Sequence, residues 1–311
     1  MRLCAVSVDL DEIPNYFKIH GLPAPKRPAS TAVYDVALGR LGEMAADASI
    51  PLTLFAVGAD LDRAVASAGL ALARAKGHEI ANHSLGHRYD LTRMSADAIR
   101  SEVVGGIEAI EAAVGERPVG FRAPGYTITD TVFDVLTELG VQYDSSVFPC
   151  PSYYGAKATV IGGLSVLGRP SQSIVDRPTV LLAPTEPYRV GRPYWRPGSG
   201  MLELPIQVTR GMRLPFIGTY ITLAGVRGAT WLARMCVGAP LINLELHGID
   251  VLDASDGLEA LRPHQQDVRV SRERKLEALH AVFQLLAREG YAFVTLREAA
   301  EQARGRVARV D

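Results

Sequence analysis

Short β-rich runs alternate with stretches of helical periodicity from one end of the chain to the other, and that alternation marks a parallel α/β layer fold. Runs at Leu3 to Val8, Leu52 to Val57, Glu79 to Ala81, Val119 to Phe121, Val141 to Tyr143, Leu241 to Leu246 and Ala292 to Val294 read as strands. Between them, Ile99, Val103, Ile107, Ile110 and Val114 recur at intervals of three and four, which gives one apolar helix face with Ser95 as its N-cap. The same spacing occurs in Val132, Leu136 and Leu139, closed by Gly140, and in Leu276, Leu279, Phe283 and Leu286, closed by Gly290. From about 150 to 240 the rhythm breaks into a Pro- and Gly-rich segment with turn-bounded pieces such as Leu202 to Ile206. That segment reads as an elaboration within a single domain spanning 1–311.

Hydrophobic residues make up 48% of the 311 and charged residues 22%, enough apolar material for a large core. A formal net charge of -1 removes the electrostatic case for nucleic acid, which needs a clustered positive surface. Cys4, Cys150 and Cys236 are odd in number and widely spaced, so neither a disulfide framework nor a metal knuckle is expected. The N-terminus runs directly into an acidic segment without the apolar core of a signal peptide, and a cytoplasmic protein is expected. The most apolar long stretch, Leu223 to Ile242, is interrupted by Arg227, Arg234 and glycines and is a poor bilayer span. With Leu214 to Ile217, Trp231, Arg210 and Arg213 nearby, it would suit peripheral contact with a membrane and a lipid-linked substrate, although burial in a core or a homo-oligomer interface is the stronger expectation.

Polar residues cluster where strands end. A strand places residues i and i+2 on one side, so Asp9 and Asp11 point into the same site. An acidic pair of this kind is by itself usually a solvated turn, but Asn82-His83-Ser84-Leu85-Gly86-His87 changes the weighing. Histidines four apart lie on one face of a helical turn and reach one ion together. With a strand-end carboxylate they form a three-ligand set that leaves room for water and substrate, the arrangement of a catalytic rather than a structural metal. Zinc comes first, and non-haem iron suits the same ligands. In Gly120-Phe121-Arg122-Ala123-Pro124-Gly125-Tyr126 the arginine can fork onto a carboxylate, and the Gly-Tyr turn can offer backbone N–H groups to an oxyanion. Asp144 and His247 each follow a strand, and Glu12 and Tyr16 lie on what should be a loop beside the metal, where substrate contacts are expected.

Taken in this order, the segments resemble the five motifs of the polysaccharide deacetylase family, the NodB-homology carbohydrate esterases, over nearly the whole chain. Asp9 and Asp11 correspond to the first motif, His83 and His87 to the second, Arg122 to Gly125 to the third, Asp144 to the fourth and His247 to the fifth. Leu10 separates the two aspartates, which are adjacent in the commonest form. The segment is therefore similar to the D-x-D branch that includes cytoplasmic peptidoglycan deacetylase-like and allantoinase-like proteins.

The resemblance implies a distorted (β/α) barrel of seven or eight strands, with the site at the C-terminal strand ends. It also implies a role for each residue. Asp11, His83 and His87 bind one divalent ion, with cobalt and nickel as further candidates beside zinc and iron. Asp9 is the base, and His247 is the acid that protonates the leaving amine. Arg122 orients Asp9, Asp144 favours protonated His247, and the Tyr126 N–H shares the oxyanion, with Gly125 and Pro124 in the same turn. The expected activity is removal of an acetyl or formyl group from an amino sugar or glycan precursor. The rivals are an allantoinase-like cyclic amide hydrolase, whose relatives can dispense with the metal set, and a carbohydrate-binding protein on a decayed fold.

Overall fold

The computed structural model describes residues 1–166, 168, 171–175, 177–305 and 307. Among the described residues nine strands form one sheet: β1 (Arg2–Asp9), β2 (Leu52–Ala56), β3 (Glu79–Asn82), β4 (Gly120–Phe121), β5 (Tyr143–Asp144), β6 (Tyr188–Val190), β7 (Pro197–Glu203), β8 (Leu241–His247) and β9 (Tyr291–Val294). The helices are α1 (Ile13–Ile19), α2 (Leu38–Ala48), α3 (Ala64–Ala75), α4 (Ala96–Val114), α5 (Asp130–Glu138), α6 (Pro151–Val166), α7 (Gly218–Cys236), α8 (Arg272–Arg288) and α9 (Leu296–Arg304). The cap expected at Ser95 is present, its side chain accepting the Ala98 N–H at 3.3 Å. Gly140 and Gly290 follow α5 and α8 with φ of 73° and 79°, the left-handed turn that ends a helix at little cost only for glycine.

The strands run in the order β6-β7-β5-β4-β3-β2-β1-β8, all parallel except the β6/β7 pair. On one edge of β1, β9 pairs with Arg2 to Ala5 and β2 with Val6 to Asp9, while β8 pairs along Leu3 to Asp9. Beyond β7 the chain turns back toward β8. The Gln207 N–H donates to the Asn243 carbonyl at 3.0 Å, and Ile217 bridges Glu245, so the sheet curls into a distorted barrel closed by irregular chain rather than a full strand. Among the described residues the Pro- and Gly-rich segment supplies β6 and β7, and β9 shares an edge of β1 with β2.

Alternation along the strands sorts the interior. Cys4, Val6 and Val8 of β1 and Ile242, Leu244 and Leu246 of β8 face outward into a helix-covered core with Leu41, Met44, Leu279 and Phe283. Leu3, Ala5, Phe55, Ala81, Tyr143 and Leu241 face inward, and α9 closes that end with Leu296, Ala299 and Ala300. Further along the same inward positions the barrel becomes polar, with Ser7, Asp9, Asn243 and Glu245 all buried. Carboxylates and an arginine are seldom buried unless paired, so this polar end marks the region where chemistry is concentrated.

The apolar stretch from Leu223 divides between α7, bent at Gly225, and β8. Ala229, Leu232, Ala233 and Cys236 join the core, while Leu223, Val226 and Trp231 stay exposed. Among the described residues no helix is long and apolar enough to cross a membrane. All three cysteines are buried and unpaired.

Candidate active site and metal centre

Asp9 ends β1 at the polar mouth of the barrel, and Arg122, just past β4, reaches it across the interior. Arg122 Nη1 donates to Asp9 Oδ1 at 2.7 Å, Nη2 donates to the Ser7 and Ser145 hydroxyls at 2.8 Å each, and Nε donates to the Ser145 carbonyl at 2.8 Å. The guanidinium also lies over the Phe55 ring, 4.2 Å from its centroid. A buried arginine satisfied in this way fixes the orientation of Asp9 and supplies its counter-charge. Ser7 donates in turn to Asn243 at 3.0 Å, which ties the arginine to β8.

Asp11 follows two residues after Asp9, and its Oδ1 lies 3.2 Å from His83 Nε2 and 3.0 Å from His87 Nε2. His83 Nδ1 sits 2.7 Å from the Arg122 carbonyl, which requires a proton on Nδ1 and turns Nε2 toward Asp11. All three converging atoms are buried without a hydrogen-bond partner among the described residues. Two imidazole nitrogens and a carboxylate oxygen facing one another at these distances are a donor set that could hold a divalent cation. Titration reflects the same field. Burial works against the charged form of Asp11, but the His87 and His83 imidazoles against it hold its carboxyl well below the usual range. Burial likewise opposes protonation of His83, yet Asp9 and Asp11 push it above the ordinary imidazole value.

The histidine pair is not on a helix. β3 ends at Asn82, and His83 to His87 form a loop in which Ser84 (φ 66°) and His87 (φ 50°) are left-handed. Asn82 Oδ1 accepts the Ser84 N–H at 3.0 Å and its amide donates to the Val103 carbonyl at 2.9 Å. The Ser84 hydroxyl accepts the His87 N–H at 3.1 Å. These local bonds fold His87 back beside His83, with ring centroids 4.9 Å apart, without a helical turn.

His247 ends β8, and its Nδ1 lies 3.0 Å from Glu245 Oε1. Burial would lower the imidazole pKa, but Glu245, then Asp11 and Asp9, hold it well above its usual value. The Tyr126 hydroxyl is 3.2 Å from His247 Nε2. Glu245 is the residue that reading the sequence missed, and the i, i+2 rule already applied to Asp9 and Asp11 would have found it.

Other expected site residues lie elsewhere. Asp144 does not reach His247. Tyr143 takes the inward position of β5, so Asp144 points to the other face, in register with Phe121 and Glu203. There it accepts from the Ser146 N–H and hydroxyl at 2.9 Å each and is hydrogen-bonded to Glu203. Glu12 is buried and accepts backbone N–H groups of Ile13, Val33 and Tyr34 while pairing with Arg63, so it caps structure instead of facing substrate. The Tyr126 N–H is spent on the Ala123 carbonyl at 3.1 Å, leaving its hydroxyl as the group that faces the site. Pro124 and Gly125 shape that turn, and the Gly125 carbonyl accepts from Lys157 at 2.8 Å. Tyr16 does stand at the site, its ring edge-on to His247 with centroids 6.3 Å apart. His78, outside the site, accepts the Leu52 N–H at 3.1 Å and so holds β2 to the approach of β3.

Residues 40–143 match the family model described as polysaccharide deacetylase. This segment, about a third of the chain, is similar to that family. The matched segment contains His83, His87 and Arg122, and the fold brings Asp9, Asp11 and His247 to them from outside it. No curated protein sequence matches.

Among solved structures, a Mycobacterium smegmatis protein classed with polysaccharide deacetylases is similar at a TM-score of 0.62 and 21% identity, over 100% of this chain and 93% of that one. A family 4 acetyl xylan esterase from Clostridium thermocellum, in complex with a cobalt ion, gives 0.50 and 17%, over 99% and 93%. A pseudoenzyme of the same esterase family from Bacillus anthracis gives 0.51 and 13%, over 100% and 67%. At these identities the likeness establishes the barrel fold.

Proposed function

We propose that the chain is a metal-dependent deacylase that removes an acetyl or formyl group from the nitrogen of an amino sugar. The observation that carries this reading is the convergence of Asp11 Oδ1, His83 Nε2 and His87 Nε2, three partnerless buried atoms at 3.0 and 3.2 Å, beside an arginine-held aspartate and a glutamate-held histidine. Zinc is the ion we favour, and iron, cobalt and nickel suit the same donors. An ion held there supplies Lewis acidity toward the acyl oxygen and the attacking water.

The chain's own residues divide the remaining work. Asp9, oriented by Arg122, takes the proton from the attacking water. His247, held protonated by Glu245, gives a proton to the departing nitrogen, so that the C–N bond breaks to release an amine rather than an amide anion. The Tyr126 hydroxyl beside His247 Nε2 positions that proton, and the Tyr16 ring forms the wall across from it.

Elemental analysis of protein purified without chelator, with His83→Ala alongside, tests the metal. About one ion per chain, lost in the variant, is expected. Acetate or formate release from N-acyl amino sugars tests the reaction, with Asp9→Asn and His247→Ala each expected to lose at least a hundredfold in kcat. Full activity in either variant would sink the assigned roles. Ring-opening of cyclic ureides by metal-free protein would favour the allantoinase-like reading. The fold also includes a pseudoenzyme, so turnover and not architecture decides against a purely carbohydrate-binding role.

A further inference from the structure

Next to the metal centre lies a cleft of about 460 Å³ that the reaction described above does not use. His87 and Tyr89 form one wall; Lys18, at the end of α1, and Arg88, Asp90 and Arg93, on the chain just past His87, supply its charges. Three cations face one carboxylate. Arg88 holds Asp90 through two bonds of 2.9 Å each, which neutralises that pair. Lys18 and Arg93 have no ion-pair partner among the described residues; the hydrogen bond recorded for Lys18 is a long one of 3.4 Å to the Asn15 amide oxygen. The volume falls within the range of roughly 300–1,000 Å³ typical of small-molecule clefts. His87 belongs both to the metal set and to the cleft wall, which places the cleft beside the metal set.

Resting on the deacylase reading, we infer that this cleft is an anion subsite: the natural substrate is an amino sugar bearing a phosphate or carboxylate, seated between Lys18 and Arg93. Lysine serves as a point charge and arginine as a planar fork, and both ligand types are matched by that combination. Arg93 also acts on the Asp90 carboxylate that Arg88 holds, and three cations against that one carboxylate leave the cleft with an excess of positive charge. The whole chain carries a net charge of -1, so this local excess is a feature of the cleft and not of a generally basic surface.

The test compares metal-loaded wild type with Lys18→Gln/Arg93→Gln on three substrates: N-acetylglucosamine, N-acetylglucosamine 1-phosphate and N-acetylmuramic acid. The readout is the ratio of kcat/KM for each anionic sugar to that for the neutral one. A wild-type ratio of at least ten for one anionic sugar, falling at least tenfold in the variant through KM, is expected. Which sugar shows it separates a phosphate-bearing from a carboxylate-bearing source. A ratio near one, or a ratio the double variant leaves in place, overturns the subsite. Arg93→Gln alone, at an exposed position, serves as the second variant should the double one fold poorly. If wild type turns over none of the three, the deacylase reading fails on its own. The subsite is then decided by calorimetric titration of inorganic phosphate: millimolar binding lost in the variant upholds it, and absent or equal binding overturns it.

Discussion

The proposed catalytic pair, Asp9 and His247, shows what single residues contribute. Glu245 keeps His247 in its protonated form, so Glu245→Gln should lower the histidine pKa and move the alkaline limb of the kcat/KM profile to lower pH. At pH 8.5 a loss of about ten- to a hundredfold is expected, shrinking as the pH falls and the imidazole regains its proton. A pH–rate profile with an unmoved alkaline limb would show that another group governs His247. Arg122 is buried with four hydrogen bonds, and Arg122→Met would strand the Asp9 carboxylate in the interior at a cost of roughly 3–5 kcal/mol in urea unfolding. Adding Asp9→Asn removes the stranded charge and should recover part of that stability but no activity. Asp9 and Asp11 were legible because the period-2 rule needs only a strand end, and His247 with Glu245 obeys the same rule. Asp144 misled because its strand is two residues long. Which of Tyr143 and Asp144 faces inward is then set by pairing with β4 and β7, which no local pattern records.

Among the structural elements, the loop after β3 decides whether a metal can be held. The spacing His83 to His87 fits a helical turn equally well, and only the left-handed conformations of Ser84 and His87 with the Asn82 side-chain bonds distinguish the loop. Left-handed serine and histidine leave little trace in a sequence. α4 backs this loop through Gly106, where a Cβ would collide with the Asn82 side chain and lie 2.9 Å from the Ser84 carbonyl carbon. Gly106→Ala should therefore cost about 1–3 kcal/mol and weaken metal affinity together, because the displaced backbone carries the ligands. A melting curve and a competitive chelator titration on one sample check both, and intact affinity alongside lost stability would separate the helix from the loop. In wild type, zinc at a hundredfold excess over its Kd should stabilise by about 2.7 kcal/mol, an increment absent from His87→Ala. The amphipathic helices were easier to read, because three- and four-residue spacing and a capping serine survive any tertiary context that buries one face.

The architecture of the whole molecule follows from a barrel whose inside is apolar at one end and polar at the other. Alternating β and α signals made the layered fold legible, whereas closure by residues 204–217 was not, since irregular chain satisfies its hydrogen bonds with β8 at unpredictable points. Polar burial also extends outside the barrel, where Asp144 meets Glu203 on the opposite face of the sheet. Burial first, and then the neighbouring Asp144 carboxylate, push the Glu203 carboxyl well above the usual range, so the folded pair retains a proton that the unfolded chain gives up near the ordinary carboxylate value. A group whose native pKa is raised contributes stability that is fully present below its unfolded pKa and is lost as pH rises through the native one. The urea midpoint of wild type should accordingly fall as pH increases from about 4.5 through neutrality. Glu203→Gln keeps an oxygen for the Val147 N–H, which Glu203 Oε1 accepts at 3.0 Å, and provides a permanent N–H for Asp144 in place of the shared proton. The variant should match wild type at pH 5, exceed it at pH 8, and show a flatter dependence between them. If instead both proteins lose stability in parallel across that range, the pH dependence arises from the other buried carboxyls, of which Asp250, raised to about 7 mainly by burial, is the next to substitute.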